Sequence, residues 1–387
     1  MKVARYPYRA RAWWDDRLVV QSDSCLVAEA PGGLPVLYFP STDVDGDLSA
    51  FEGLSECLRP AGSPDELAGH IAFDQDRVRV EVMDEVAGDE PRDVTHKRFP
   101  TWGDAADLVD VMDVRPTDDS NRTFVTVARS DERRPVVEGS QMLGQAVVAA
   151  GRYVEGRRVV SASMIFLRAA DAHRPLRVEL EELTSGRTFS GLAVKVFEGA
   201  RLCAAGTVLL DVPSDDVIRH ASVGPDVAGP YESEPYDMGV TGRDIRVVDG
   251  SYTNDPAAAG PPVVDAWVRF RHLPDDQPLH AGLLAQFTGH MSIAAALRPH
   301  EGVSQDQAHS TLSMAINSIS LSLHAPVKAD DWLLYHHCST FAGAGTTHAE
   351  NRVYDLDGAL VASFTVDAMV RPLPRGAKGP MDARTAL

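Results

Sequence analysis

The feature that most constrains the fold of this 387-residue chain is a pattern that occurs twice: a strand, a long apolar helix, and then several strands. The first helix is predicted over 140–153 and the second near 281–297. A helix that is apolar on nearly all sides must be enclosed by other elements. An antiparallel sheet that curves around each helix would enclose it. The pattern therefore predicts an α+β protein with two sheet-wrapped helices.

The strands around the two helices are predicted from alternating and β-branched apolar runs. The first repeat has them near 159–166, 176–183, 189–197 and 204–212, and the second near 245–248, 311–324, 332–341, 347–355 and 360–370. A helix over 105–112 and a strand over 123–128 are predicted before the first repeat. The Gly-, Pro- and Asp-rich stretch from Val223 to Pro262 is predicted to connect the repeats.

The beginning of the chain is predicted to be a separate, small, mainly-β domain. Short strands are expected at Arg17–Ser22, Leu26–Ala30, Pro35–Phe39 and Val78–Val82, and the acidic stretch from Met83 to Pro100 is expected to be a linker. The predicted domains are residues 1–98, a first repeat over 99–222, a second repeat over 223–373, and a disordered tail over 374–387.

Charge and cysteine content limit the classes of function. The formal net charge of −19 disfavours binding to the phosphate backbone of a nucleic acid. No apolar run is long enough to span a membrane, and the first residues lack the apolar core of a signal peptide. The four cysteines are far apart and are expected to be reduced, mostly buried thiols. These features predict a cytoplasmic protein with no nucleic-acid or membrane partner.

Several segments carry a specific resemblance. They are EGSQMLGQA (Glu138 to Ala146), MIFLRAA (Met164 to Ala170), LHAPVKADDWLLY (Leu323 to Tyr335) and LDGALVASFTVDAMVR (Leu356 to Arg371). In this order and spacing they resemble the acyl-CoA thioesterase II family, whose fold is a tandem, or double, hotdog. The resemblance implies hydrolysis of a fatty or modified acyl-CoA by an activated water. Coenzyme A would enter as part of the substrate, with no other cofactor and no metal.

Two further expectations concern the rest of the chain. Ala12 to Val44, with Ala68 to Val82, resembles a small family of bacterial β-tent domains of unknown function, so no chemistry transfers from it. A hotdog sheet has an edge that must be covered. The two repeats can cover part of it by pairing with each other, and further association into a homo-oligomer is expected.

The sequence departs from the family at three positions. In the family, an Asp, a Thr or Ser, and a Gln hold the attacking water. On the register of the matching segments these positions are Gly289, Ile316 and Val366, which cannot polarise a water. A polar residue follows each of them, which makes His290, Asn317 and Asp367 the candidate catalytic residues. Because a one-residue step reverses the direction of a strand side chain, a β-bulge would be needed to re-aim one of them.

Each candidate also has a structural interpretation. His290 falls on the apolar stripe of its predicted helix, where it is either a core histidine or a general base. Asn317 alternates with Ile319 and Leu321, which predicts the apolar face and a bond either to His290 or to backbone. Asp367 falls on the opposite face from Val366, which favours a solvated or salt-bridged carboxylate.

The start of the first helix supplies candidate substrate-binding residues. Gln141 and Gln145 match a family signature, and Gly139 before them suits a close approach of strand and helix. Free N–H groups at such a helix end can receive a thioester carbonyl or a phosphate. The alternative is that both amides bridge the repeats.

Three functions remain open at this point. The first is acyl-CoA hydrolysis, with His290 and Asn317 positioning water and Asp367 assisting. The second is an inactive acyl-CoA- or lipid-binding protein, which the substitutions at the three family positions favour. The third is a hotdog hydratase, which would require Asp276 and His280 to face the pocket; the Pro-Asp-Asp sequence before His280 instead indicates a helix N-cap turn.

Overall fold

The protein is divided into two compact units, residues 1–104 with 239–241, and residues 105–238 with 242–387. The computed structural model describes residues 2–6, 9–29, 36–46, 48–60, 65–74, 77–83, 92–93, 103, 105–128, 136–236, 238, 240, 242–308 and 310–373. The predicted tail, the predicted boundary at residue 98 and most of the predicted linker lie outside the described residues.

The first unit is built from two antiparallel sheets. One has the order β1-β4-β5-β7-β6 and the other β3-β2-β8-β9. Buried apolar residues such as Val19, Leu37, Phe39 and Val80 form its core. The prediction of a small mainly-β domain is therefore confirmed. Its strands are β1 (Lys2–Arg5), β2 (Arg9–Trp14), β3 (Arg17–Ser22), β4 (Leu26–Glu29), β5 (Val36–Pro40), β6 (Leu58–Pro60), β7 (His70–Phe73), β8 (Arg79–Met83) and β9 (Arg92–Asp93).

The first half of the second unit follows the predicted order of a helix and then long strands. A short helix and two strands come first, and their pairing extends the sheet beyond β15. The elements are α1 (Ala105–Met112), β10 (Arg115–Pro116), β11 (Thr123–Val125), β12 (Val136–Val137), α2 (Gly139–Tyr153), β13 (Arg158–Phe166), β14 (Ala170–Asp171), β15 (Arg177–Ser185), β16 (Phe189–Glu198) and β17 (Arg201–Asp211).

The second half repeats this order, with one long strand that the sequence reasoning missed besides the two-residue β18. That strand is β20, the β-branched run VVDAWVRF, which pairs with both β19 and β22. The elements are β18 (Glu234–Pro235), β19 (Arg243–Val247), β20 (Val263–Phe270), α3 (Gln277–Phe287), α4 (Ser292–Leu297), β21 (Leu312–Leu323), β22 (Leu333–Gly343), β23 (Thr346–Tyr354) and β24 (Leu360–Pro372).

A single antiparallel sheet joins the two halves. Its order is β10-β11-β15-β16-β17-β13-β21-β24-β23-β22-β20-β19-β18. The halves meet where β13 pairs with β21, with Ser163 opposite Ser320. Helices α2 and α3 pack side by side, and both are almost entirely buried. The predicted tandem hotdog is therefore confirmed.

The two helices cross at a pair of glycines. A Cβ built on Gly144 would overlap the carbonyl oxygen of Gly282 and lie 3.0 Å from the sulfur of Met112. The backbones of α2 and α3 therefore approach more closely than any side chain at position 144 would allow. Near the C-terminal end of α2, Arg152 binds Asp113 at 2.6 Å and Asp276 at 2.8 Å, which ties α2 to the start of α3.

The predicted continuous helix near 281–297 is wrong, because the chain interrupts it. Helix α3 ends at Phe287 and α4 begins at Ser292. The Thr288 and Tyr335 hydroxyls donate to carbonyls at the end of α3, which satisfies acceptors that a helix end leaves open. Met291 then adopts a left-handed conformation with φ of 63°. Gly289 and His290 consequently lie in a turn and not on a helix.

Candidate functional site

The start of α2 faces the turn between α3 and α4. Glu138 precedes α2 with an extended backbone, and Gly139 is the first helical residue. A Cβ on Gly139 would lie 2.9 Å from the ring of Phe166, so the predicted close approach of strand and helix is confirmed. We call the residues gathered here the helix junction: Glu138, Ser140, Arg243, Gln286, Gly289 and His290.

Polar side chains form a connected chain of contacts in the helix junction. Gln286 Nε2 donates to Glu138 Oε2 at 3.0 Å, and Arg243 Nη1 donates to Gln286 Oε1 at 3.2 Å. Arg243 Nη2 also donates to His290 Nε2 at 3.3 Å. The same Nε2 lies 3.8 Å from Glu138 Oε2. Helix α3 and the turn after it thus meet the first repeat at the Glu138 carboxylate, and β19 is linked to them through Arg243.

Most of this cluster is removed from solvent. His290 is 7% exposed and Arg243 is 5% exposed. The His290 ring stacks on Phe287 with centroids 4.6 Å apart, and the Arg243 guanidinium carbon lies 5.2 Å from the centre of the Phe287 ring. Charged groups are buried at a high free-energy cost unless they are paired. The opposite charges of Arg243 and Glu138 in one cluster reduce that cost.

The contacts of His290 fit the neutral imidazole, and Glu138 provides for the charged one. In the neutral ring, Nε2 is an acceptor and receives the Arg243 hydrogen bond. A proton on Nε2 would have to replace that Arg243 N–H, and it would have the Glu138 carboxylate 3.8 Å away. A group that must gain and lose a proton during a reaction needs stabilisation in both states. The helix junction can therefore perform general acid–base chemistry.

A second buried histidine belongs to β22 and contacts the start of α4. Its Nδ1 lies 3.1 Å from the Ser292 hydroxyl, and Asn351 Nδ2 lies 3.5 Å from that same hydroxyl. This residue is His337, which is fully buried; burial, followed by the nearby imidazoles of His336 and His290, lowers its pKa to about 3. It stays neutral at ordinary pH, so it cannot assist His290 by changing charge.

The three family positions occupy different parts of this region. A Cβ built on Gly289 would overlap the hydroxyl oxygen of Ser140 and lie 3.4 Å from Ile316 Cδ1. Two of the three positions are therefore neighbours, as the resemblance implies. Val366 is buried, and it pairs with Ile319 and not with Ile316.

Asn317 does not lie where the alternation predicts. The register between β21 and β24 shifts between Ile316 and Ser318, so Asn317 is the extra residue of a β-bulge. Its side chain is exposed, while Met314 and Ile319 remain buried. The prediction that Asn317 shares the apolar face is wrong. The bulge occurs on the expected strand, but it turns the amide outward, away from the buried His290.

Asp367 lies on the outer face of the sheet, as its alternation indicates. His348 Nδ1 donates to one of its carboxylate oxygens at 2.7 Å, and the Ser318 hydroxyl donates to the other at 2.8 Å. These hydrogen bonds, His348 first, lower the pKa of Asp367. Its neighbours Val366 and Ala368 are buried on the opposite face. The structure therefore does not bring Asp367 to His290, and the catalytic prediction for Asp367 is corrected to a hydrogen-bonded carboxylate on the outer face.

The two glutamines of α2 have different surroundings. Gln145 is fully buried and donates from Nε2 to the Val111 carbonyl of α1 at 2.7 Å, a structural contact within the first repeat and not the expected bridge between the repeats. Gln141 lies in the first turn of α2 and is 6% exposed. Substrate binding by Gln141 and Gly139 remains a prediction.

His280 and Asp276, the residues of the hydratase hypothesis, form hydrogen bonds with backbone groups. His280 Nε2 donates to the Pro274 carbonyl at 3.1 Å, and its Nδ1 accepts from the Ala329 N–H at 3.0 Å. Asp276 caps α3 by accepting from the Leu279 N–H at 3.1 Å. The predicted N-cap turn is confirmed, and this pair has no nitrogen left for a reaction.

A cavity of about 440 Å³ lies at the far end of α4. Apolar residues of α4, β21 and β24 form part of its wall, among them Ala296, Leu297, Leu312 and Val370. Since α4 has six residues, roughly 9 Å of helix separate this cavity from the turn that holds His290.

Two family models match the second unit. The acyl-CoA thioesterase N-terminal domain matches residues 129–210, and the acyl-CoA thioesterase C-terminal domain matches residues 220–370. The chain belongs to the acyl-CoA thioesterase II family. Residues 1–128 lie outside both matches, so the resemblance of the first unit to β-tent domains stays a prediction.

Curated and solved members of the family agree with this assignment. Mouse acyl-coenzyme A thioesterase 8 is 26% identical over 264 residues, covering 61% of this chain and 81% of that protein. Acyl-CoA thioesterase 2 of Haemophilus influenzae is 25% identical over 254 residues, covering 61% of this chain and 87% of that protein. The fold resembles a tesB protein of Mycobacterium avium, with a TM-score of 0.59 and 21% identity over 69% of this chain and all of that one. The fold also resembles acyl-CoA thioesterase II TesB2 of Mycobacterium marinum, with a TM-score of 0.58 and 22% identity over 69% of this chain and 99% of that one.

Sequence reasoning found His290 but missed the groups around it. Glu138 is a charged residue directly before an apolar helix, and Gln286 is a lone polar residue inside the apolar run LLAQF. Each is a polar residue at a position that the pattern buries, which is a signal that could have been used.

Among the helices of the described part of the chain, none combines the length and apolar character needed to span a bilayer.

Proposed function

We propose that this protein hydrolyses a fatty or modified acyl-CoA to the free acid and CoA at the helix junction. The observation that carries the proposal is the pair of buried His290 and half-buried Glu138, which supplies an acid–base group beside the substituted family position Gly289. Family membership supports the same chemistry, since the similar mouse and Haemophilus proteins are both named as acyl-CoA thioesterases. The apolar residues in part of the wall of the cavity beyond α4 are compatible with an acyl chain as the ligand.

The reaction requires one water and no cofactor beyond the coenzyme A of the substrate. The water replaces the Arg243 N–H at His290 Nε2, and its oxygen attacks the thioester carbonyl carbon while Nε2 accepts a proton from it. The tetrahedral intermediate then collapses and its C–S bond breaks. His290 returns the proton to the leaving thiolate, which gives CoA and the carboxylic acid. Glu138 stabilises the transient imidazolium, and Gln286 and Arg243 hold the pair in position.

The alternative function is binding of an acyl-CoA without hydrolysis. The absence of a polar side chain at Gly289, Ile316 and Val366 favours it. The helix junction favours hydrolysis more strongly, because His290 and Glu138 lie next to Gly289 and provide a base that those positions lack.

The test is the release of free thiol from acyl-CoA substrates of increasing chain length. We expect turnover by the wild type and a loss of at least about 100-fold in His290→Ala, the lower range for removal of a general base. His348→Ala, which removes a histidine on the outer face of the sheet, is the matched control and should retain activity. Tight binding with no turnover on any acyl-CoA would establish the binding function instead.

Two further expectations remain proposals. A cytoplasmic location is supported by the cysteines, all four of which are free thiols, with three buried. Assembly into a homo-oligomer is supported by the long exposed outer face of the joined sheet, which carries exposed apolar side chains such as Ile165 and Leu209.

A further inference from the structure

Gly289 is a glycine for reasons of space and not of backbone conformation. Its φ does not lie in the left-handed region that favours glycine. A Cβ at this position would overlap Ser140 Oγ and lie 2.7 Å from Ser140 Cβ. Real side chains do not approach so closely, so one of the two residues would have to move. The residue type at position 289 is therefore set by the presence of Ser140.

Ser140 occupies a position that suits a reacting ligand. It is the second residue of α2 and so belongs to the first turn, whose N–H groups have no partner within the helix. The residue is only 1% exposed. Among the hydrogen bonds of the described residues, none involves the Ser140 hydroxyl. The Ser140 oxygen is not one of the fully enclosed polar atoms that lack a partner, so it stays within reach of a small ligand such as water.

The surroundings of this hydroxyl are those of the proposed reaction. Ser140 follows the Glu138 carboxylate by two residues, and the Gly289 that it excludes directly precedes His290. The point where a Cβ of residue 289 would stand is also 3.4 Å from Ile316, another substituted family position. A hydroxyl from the first repeat thus reaches the place where the family resemblance expects a carboxylate from the second repeat.

We propose that the Ser140 hydroxyl replaces the missing side chain of position 289 and holds the attacking water against His290. The hydroxyl oxygen accepts one hydrogen bond from the water and forms no covalent bond with the acyl group. The second proton of the water remains available to His290 Nε2. Positions 140 and 289 consequently form a coupled pair in which only one residue can carry a side chain. This inference rests on the proposed hydrolysis.

The kinetic test replaces Ser140 by Ala, which removes the hydroxyl and keeps Cβ. We expect kcat for acyl-CoA hydrolysis to fall about 10- to 100-fold, in the range of a lost hydrogen bond to a reacting group, with KM and melting temperature unchanged. Ser320→Ala, which removes an exposed serine hydroxyl on β21, is the control and should keep full activity. Wild-type kcat in Ser140→Ala would overturn the role of the hydroxyl.

The structural test measures the coupling of the two positions by thermal unfolding. Gly289→Asp alone should lower the melting temperature, and Ser140→Gly combined with Gly289→Asp should recover most of the loss. The double variant should also regain hydrolysis that Gly289→Asp lacks. Equal melting temperatures for Gly289→Asp and the wild type, or no recovery in the double variant, would overturn the coupled pair.

These tests separate failure of the inference from failure of the proposed function. If the wild type hydrolyses no acyl-CoA, the proposed function is wrong, while the unfolding measurements still decide the coupling. The contact of Ser140 with ligand is then decided by calorimetry with a non-hydrolysable thioether analogue of acyl-CoA. Weaker binding by Ser140→Ala than by Ser320→Ala supports the contact, and equal binding contradicts it.

Discussion

The two repeats use their central helices differently. Helix α2 runs without interruption through 15 residues, and its partner in the second repeat is divided into α3 and α4 by the turn at 288–291. The left-handed Met291 in this turn has a conformation that non-glycine residues rarely adopt, and such strain is concentrated at functional sites. The continuous helix α2 packs against α3 and carries Ser140 in its first turn, which begins directly after Glu138. The interruption of the other helix places Gly289 and His290 against this end of α2, so both repeats contribute residues to the helix junction.

The largest expected effect concerns the crossing that both helices share. Gly144→Ala should destabilise the protein by about 1–3 kcal/mol, because the new methyl group would overlap the Gly282 carbonyl. At an open helical position the same substitution would stabilise by about 1 kcal/mol, so the sign is diagnostic. The free energy of unfolding in urea measures it.

The control for this crossing is Gly186→Ala, where the added Cβ meets its nearest atom at the ordinary distance of 3.5 Å. Its free energy of unfolding should stay close to that of the wild type. If Gly144→Ala were as stable as this control, the close approach of α2 and α3 would be contradicted.

The next effect in size concerns His337 of β22, which contacts Ser292 at the start of α4, and it appears as a dependence of stability on pH. Because burial lowers the pKa of His337 to about 3, the folded protein does not bind the proton that the unfolded chain binds below about pH 6.5. The contribution of His337 to the free energy of unfolding is therefore fully present above that pH and decreases as the pH falls toward 3. Between pH 6 and pH 5 this residue should reduce the free energy of unfolding by about 1 kcal/mol.

His337→Gln should remove this contribution, since the amide does not titrate. The comparison is made by urea unfolding at several pH values for wild type, His337→Gln and the surface variant His173→Gln, whose histidine is 54% exposed. An unchanged pH dependence in His337→Gln would show that the buried imidazole near α4 is not the group that responds.

The smallest effect is expected on the outer face of the sheet. Hydrogen bonds from His348 and Ser318 lower the pKa of Asp367, so its stabilisation is present above its unfolded pKa and is lost as the pH falls through the folded pKa. The side chain is 54% exposed, so solvent screening limits the effect of Asp367→Asn to below about 1 kcal/mol at neutral pH.

Asp367→Asn should leave acyl-CoA hydrolysis unchanged. Glu350→Gln, which neutralises an exposed carboxylate on the neighbouring strand, is the comparison for both unfolding and activity. A large loss of activity in Asp367→Asn alone would return this residue to the site and contradict the division between the two faces.

Local pattern was sufficient to predict most of the scaffold. The alternation in 311–324 and 360–370 predicted β21 and β24 within a few residues, and α1 was predicted at its observed bounds. These segments succeed because burial of one face fixes the period of the sequence. The outward direction of Asp367 follows from the same rule.

The site could not be predicted in the same way. The bulge at Asn317 inserts one residue without any local signal, and it reverses the direction that alternation assigns to that side chain. The turn at 288–291 contains no proline, and the apolar residues Phe287, Met291 and Ala294 keep a helical spacing across it, so the segment is predicted as a continuous helix. Glu138 and His290 come from different repeats, and only the packing of α2 against α3 brings them together.

The most direct test compares thiol release from acyl-CoA by the wild type, His290→Ala and Asn317→Ala in one assay. If the reaction occurs at the helix junction, Asn317→Ala should match the wild type while His290→Ala loses at least about 100-fold in kcat. Full activity in His290→Ala together with loss in Asn317→Ala would contradict the account, because it would place the reacting water on the opposite side of the sheet.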